Sequence, residues 1–265
     1  MYEPKYNKTN EEIKKSIKNI EQNIKYKNSK KLTEDDIAQS YKNIKRGITM
    51  PILHDGSGKK EIERKIEYYI NAIKCLPNFT NGIITESQIK QINYFVLNNK
   101  YESSGYRDAP VEVGAIGGFF YHPPDAEYIP TMMEDLLNWL NNEQQELKAK
   151  RKERSEVFSI AGVFHYRFLK IHPFQDGNCR TAMLLTKLIL MNEYIEYKEY
   201  KEFFQHSSIE YSFRTDYYSY ASALSYRDID NGQIKTINEN ADLTSWLIYF
   251  LKKLEILTVH DISKF

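Results

Sequence analysis

Cysteine is nearly absent: Cys75 and Cys179 are the only two among 265 residues. That excludes a disulfide framework and makes a reducing, cytoplasmic setting the expectation. Charge of one sign is also lacking. With 37 basic and 36 acidic residues the net charge is +1, so bulk basicity gives no reason to expect a nucleic-acid partner. No uncharged apolar run approaches the ~18 residues of a membrane span, and no membrane partner is expected. The opening Met1-Tyr2-Glu3-Pro4-Lys5 lacks the apolar core of a secretory leader. Glycine and proline are scarce, 11 and 8, which together with apolar residues at three- and four-residue spacing argues for a mostly helical fold.

What is present supports that fold. Residues 8–30 place Ile13, Ile17, Ile20 and Ile24 on one face of a charged helix. Thr33 with Asp36 has the capping-box pattern and opens a helix through Ile44, for which Gly47 is the expected stop. Ile62, Ile66, Tyr69, Ile70, Ile73 and Leu76 mark a further helix ended by Pro77. Thr85 and Gln88 cap another, with Ile89, Ile92, Phe95 and Val96 inward. Residues 103–124 hold four of the glycines and alternate Val111 and Val113, the one place that favours a β-hairpin. Pro130 starts a helix carrying Met133, Leu136, Leu137 and Leu140. Val157, Ala161, Phe164 and Phe168 predict an amphipathic helix after it.

The chemistry concentrates in residues 172–183, His-Pro-Phe-Gln-Asp-Gly-Asn-Cys-Arg-Thr-Ala-Met, set between two helices. His172 precedes a proline, which predicts extended backbone outside the preceding helix. Asp176 is a hard oxygen ligand suited to Mg²⁺, which takes one or two carboxylates plus phosphate oxygens. Gly177, Asn178 and Cys179 offer consecutive backbone N–H groups at a helix start, where unpaired amides and the helix dipole stabilise an anion. Arg180 adds a planar, permanently charged fork for phosphate. A base, a metal carboxylate, an anion nest and an arginine within nine residues point to phosphoryl or nucleotidyl transfer. The remaining histidines, His54, His122, His206 and His260, form no zinc-ligand spacing, and His165 reads as a satisfied core residue.

The segment resembles the signature of the Fic family, His-x-Phe-x-(Asp/Glu)-Gly-Asn-Gly-Arg-x-x-Arg, matching at His172, Phe174, Asp176, Gly177, Asn178 and Arg180. Gly105-Tyr106-Arg107, Pro110 to Gly114, Tyr121-His122-Pro123-Pro124, His165 to Phe168 and Asp242 to Trp246 extend the likeness over roughly residues 33–255. The resemblance implies an all-α, Fic-type helical bundle with a small β-hairpin flap. Residues 1–80 would be a helical extension packed on the core, and 81–265 the Fic domain with its C-terminal helices, in one compact unit. It further implies transfer of AMP from ATP to a Ser, Thr or Tyr hydroxyl of a target protein. His172 would be the general base, Asp176 the Mg²⁺ ligand, and Gly177, Asn178, Cys179 and Arg180 the phosphate site. Phe174 would anchor the loop and Tyr217 would border the adenosine. The flap, with Val111, Val113, Gly117 and Gly118, would dock the target by main-chain pairing. Self-modification and an oligomer are both open. The alternatives are a degenerate module that binds nucleotide or a partner protein, another nucleotide donor, or removal of AMP.

Two motif positions depart from the family: Cys179 replaces a glycine and Met183 the final arginine. The resemblance assigns that arginine to the terminal phosphate and to an inhibitory glutamate. The comparable segment, Ser40 to Gly47, has Lys45 or Arg46 in the glutamate place. Glutamate-type autoinhibition is therefore expected to be absent and the grip on the terminal phosphate weaker, with Lys187 a substitute charge one turn on. Ser207-Ser208-Ile209-Glu210 resembles an inhibitory motif only by chance on this reading.

Overall fold

In the computed structural model the chain is described for residues 4–27, 32–53, 58–80, 82–97, 105–115, 119–194, 196–214, 220 and 241–259. Ten α-helices and one hairpin make up the regular structure among these residues, apart from short 3-10 turns. In chain order they are α1 (Glu11–Lys27), α2 (Glu34–Leu53), α3 (Lys59–Cys75), α4 (Glu86–Val96), β1 (Val113–Ala115) and β2 (Phe119–Tyr121). Then come α5 (Ile129–Lys148), α6 (Val157–Ile171), α7 (Asn178–Glu193), α8 (Lys198–His206), α9 (Ile209–Arg214) and α10 (Thr244–Val259). The fold is all-α with a small β-hairpin.

Local chemistry explains most boundaries. At α4 both halves of the capping box form: Gln88 N–H donates to Thr85 Oγ1 (3.2 Å) and Thr85 N–H to Gln88 Oε1 (3.0 Å). At α2 the shorter Asp36 does the same work, taking the Thr33 N–H at 2.9 Å. Pro130 sits in the first turn of α5, where its missing N–H costs nothing.

Gly47 does not stop α2, which runs on to Leu53. A Cβ at Gly47 would lie 2.5 Å from the Glu210 carbonyl carbon and from the Tyr211 nitrogen. This glycine thus serves close passage of α2 over α9, not a helix end. The expected one-sided α6 is also corrected: all its residues, Val157 through Ile171, are buried. It is the central rod, packed by α5, α7 and α10, which is where a helix apolar all round must sit. His165 within it is satisfied on both ring nitrogens, by Thr186 Oγ1 (2.9 Å) and Tyr220 OH (2.8 Å).

The chain ends of the bundle meet. Helix α1 buries Ile13, Ile20 and Ile24 and packs on α10. Glu255 of α10 accepts hydrogen bonds from Ser16 Oγ (2.9 Å) and Asn19 Nδ2 (2.6 Å). No described helix is long and apolar enough to cross a membrane.

Candidate active site

The candidate site is the loop joining the central α6 to α7. Helix α6 ends at His172, whose N–H still donates to the Phe168 carbonyl (2.9 Å). His172 is left-handed, φ 50° and ψ 60°, where extended backbone was expected. A non-glycine residue in that region costs about 1–2 kcal/mol, so the surroundings must hold it. Arg107 does so. Its Nε donates to the His172 carbonyl (2.9 Å) and its backbone N–H to the Pro173 carbonyl (2.8 Å). Its other nitrogens reach the carbonyls of Ala109 (3.0 Å) and Pro124, the two flanks of the hairpin. One buried guanidinium therefore fixes both the catalytic-candidate histidine and the base of the flap.

Phe174 is the loop's anchor, buried between Phe168 and Tyr106 at ring distances of 6.2 and 5.7 Å. Asn178 closes the loop with its side chain: Oδ1 accepts the Phe174 N–H (2.9 Å) and Nδ2 donates to the Phe174 carbonyl (2.7 Å). That leaves its backbone N–H for other work. The first intrahelical bond of α7 runs from Thr181 N–H to Gly177 O (2.8 Å). The N–H groups of Asn178, Cys179 and Arg180 before it therefore have no intrahelical acceptor, as in any helix start. Gly177 has φ 79°, and a Cβ there would come within 3.0 Å of Asn93 Nδ2. Both the dihedral and the space require glycine.

Asp176 and Arg180 face each other. Arg180 donates to both Asp176 oxygens at 3.2 Å and to the Val96 carbonyl at 3.3 Å. The arginine side chain is 9% exposed, the aspartate 49%. Asp176 is the one carboxylate the loop offers, and no described cluster of three or more metal-ligating side chains exists. A half-exposed single carboxylate beside an anion nest fits Mg²⁺ that arrives with phosphate oxygens, since Mg²⁺ keeps most of its ligands from water and substrate. It does not fit a resident, protein-caged ion.

Electrostatics set the state of His172. Burial and, after it, the nearby Arg107 charge push its imidazole down to about 4. The Leu169 carbonyl and Asp176 pull weakly the other way. The ring is neutral at physiological pH, with Nδ1 buried and unpartnered, which is the form a general base needs.

His172, Asp176, Gly177, Asn178, Cys179 and Arg180 are thus together on one loop and helix start, with Cys179 partly exposed. Val113 lies in β1, paired with Tyr121, and Val111 just before it. Gly117, Gly118 and Tyr217 lie outside the described residues. Met183 is 1% exposed and part of the core. Lys187 does not act as a substitute charge at the loop: it is sealed in an ion pair with Glu210 (2.9 Å), both side chains 0% exposed. Ser207 to Glu210 supplies that buried counterion. The Ser40 to Gly47 stretch packs on α9, with Lys45 and Arg46 exposed.

Sequence reasoning missed Arg107 and Asn93 as site residues. Asn93 Nδ2 donates to the Asp176 carbonyl (3.1 Å) and to Thr181 Oγ1 (3.1 Å). Its signal was an amide on the apolar stripe of Ile89, Ile92 and Val96. Arg107 has no such signal, because its partners are backbone carbonyls distant in sequence.

A helical bundle whose central helix feeds a His–Asp–Gly loop into a second buried helix, with a hairpin clamped beside it, is the Fic-type architecture. It matches the solved structure of a Fic family protein from Desulfovibrio desulfuricans G20 with a TM-score of 0.73 at 20% identity, over 97% of this chain and 76% of that one. Residues 83–190 match the Fic/DOC family. It is 31% identical over 148 residues to the protein adenylyltransferase Fic of Nematostella vectensis, covering 55% of this chain and 30% of that protein. A probable protein adenylyltransferase of Aquifex aeolicus is 32% identical over 166 residues, 60% of this chain and 48% of that one. The chain thus matches less than half the length of either relative.

Proposed function

We infer that this chain is a protein adenylyltransferase that moves AMP from ATP to a hydroxyl of a protein. The observation that carries the reading is a neutral, clamped His172 one short loop from three unpaired helix-start amides and Arg180. The names of the relatives support it. In the reaction the hydroxyl oxygen bonds to the α-phosphorus while His172 accepts its proton. The bond from the α-phosphorus to the bridging oxygen breaks, and pyrophosphate leaves. The amides of Asn178, Cys179 and Arg180, with the Arg180 guanidinium, hold the phosphate oxygens where charge builds up. Asp176 would hold Mg²⁺, which screens phosphate charge when bound. Tyr217 would border the adenosine.

The partner is a protein with a modifiable Ser, Thr or Tyr, this chain included. Its segment would lie along the hairpin at Val111 and Val113, held by main-chain bonds in the manner of an added strand. Arg107 makes that geometry consequential, since it ties the hairpin flanks to the residue that takes the proton.

The test is intact mass of the purified chain after incubation with ATP and Mg²⁺, with pyrophosphate release measured alongside. An added AMP on the wild type and none on His172→Ala is expected. Nucleotide bound without pyrophosphate would make the chain a binding module instead, and equal AMP addition by both forms would remove His172 from the chemistry.

A further inference from the structure

A charged cavity of about 160 Å³ opens beside the loop, and one of its walls is α3, an element outside the motif. Asp176 and Arg180 line one side, over a floor of Val96 and Leu97. Glu61, Arg64, Lys65 and Tyr68 line the other. These four α3 residues follow the i, i+3, i+4, i+7 rule of a single helix stripe, next to the buried stripe of Ile62, Ile66, Tyr69 and Ile73. The charge is therefore placed by the same helical register that places the core.

The register is fixed from behind. Tyr69 OH donates to Glu210 Oε1 (2.6 Å), and Glu210 pairs with Lys187 of α7 (2.9 Å). Lys187 Nζ also donates to the Ser207 carbonyl (2.7 Å). This buried chain of groups ties α3 to the helix that starts at the anion nest. The charged stripe of α3 is thereby held opposite Arg180.

Helix α7 itself cannot supply a second cation to this cavity. Past Arg180 its next inward positions are the core residue Met183 and the sealed Lys187. A polyphosphate whose first phosphate sits on the nest extends beyond the reach of one arginine, and more than one positive group is needed to hold it. We propose that Arg64 and Lys65 of α3 bind the terminal phosphate of the nucleoside triphosphate, with Arg180 between them and the nest. The proposal rests on the nucleotide reading of the loop given above. Lys65 is tethered by Glu61 at 4.0 Å, its side chain 15% exposed. Glu61 thus orients the lysine, and its charge also opposes the incoming phosphate. Arg64, Lys65 and Arg180 against Glu61 and Asp176 leave the cavity's named groups with a net positive charge.

The test is equilibrium binding of ATP, ADP and inorganic tripolyphosphate, each with Mg²⁺, to the full chain. The variants are Arg64→Gln, Lys65→Gln, the double variant and Glu61→Gln. The double variant is expected to weaken ATP and tripolyphosphate about tenfold and ADP less than about threefold. Glu61→Gln is expected to tighten ATP. Equal losses for ATP and ADP, or no loss for either, would overturn the role of α3 while leaving nucleotide binding in place. Tripolyphosphate binding without ATP binding would remove the nucleotide reading while keeping the phosphate cradle. Binding of neither by the wild type would end both.

Discussion

Helix α7 carries two cation–carboxylate pairs seven residues apart, and they are built for opposite purposes. At its start Arg180 meets Asp176 at 3.2 Å, with the aspartate half exposed. In its middle Lys187 meets Glu210 at 2.9 Å with both side chains fully buried. The aspartate of the first pair sits in water's reach, so on the proposed function it can exchange its arginine for a metal ion at little cost. The second has no solvent to fall back on, and burial pulls the Lys187 ammonium down while Glu210 holds it up. On the proposed function one pair is a site and the other a fastener.

The sharpest way to break the comparison is to remove one partner of the buried pair. Glu210→Ala strands the Lys187 charge and should cost about 3–5 kcal/mol. Replacing both residues with apolar ones of similar volume should recover most of that loss, and denaturant unfolding of the three forms checks it.

Acid should separate buried from exposed groups without mutation. Burial pushes His172 and His206 each from 6.5 down to about 4, aided by Arg107 for the first and Lys187 for the second. Below 6.5 the unfolded chain takes up protons that these folded sites refuse, so stability falls as pH drops from 6.5 toward 4. Between about pH 7 and about pH 5 the loss should be on the order of 2 kcal/mol from His172, with a smaller addition from the less buried His206. His172→Gln with His206→Gln should flatten that slope.

The loop's own strain comes next. Gly177→Ala must hold φ 79° against Asn93, and is expected to cost about 1–2 kcal/mol together with nucleotide affinity. Arg180→Ala has the smallest effect on folding, within about 1 kcal/mol. ATP affinity should nevertheless fall at least about tenfold. Thermal unfolding and calorimetric titration read the two effects apart; a large loss of stability would mean that the site pair is a fastener too.

How much of this was legible follows from what each feature depends on. The capping boxes at Thr33 and Thr85 and the hairpin near Val113 depend on neighbours in sequence, and they read directly. So did the grouping of His172 through Arg180, because one loop and one helix start bring them together. Gly47 was misread because its reason is the backbone of Glu210 and Tyr211, which no local pattern announces. Lys187 was misread for the same cause: it looks like a free charge until α7 and α9 are packed. The left-handed His172 is a third case, since a proline after it favours extended backbone and only Arg107 explains the outcome. Helix α6 was placed but not its depth, because four apolar positions describe one face while its other faces are covered by α7 and α10.

The most direct measurement uses ATP labelled on either the α- or the γ-phosphate, incubated with the chain and Mg²⁺, beside His172→Ala. Label on protein from the α-position alone, abolished in His172→Ala, is the expected result and establishes adenylyl transfer through His172. Label arriving from the γ-position, or from the α-position equally in both proteins, would contradict it.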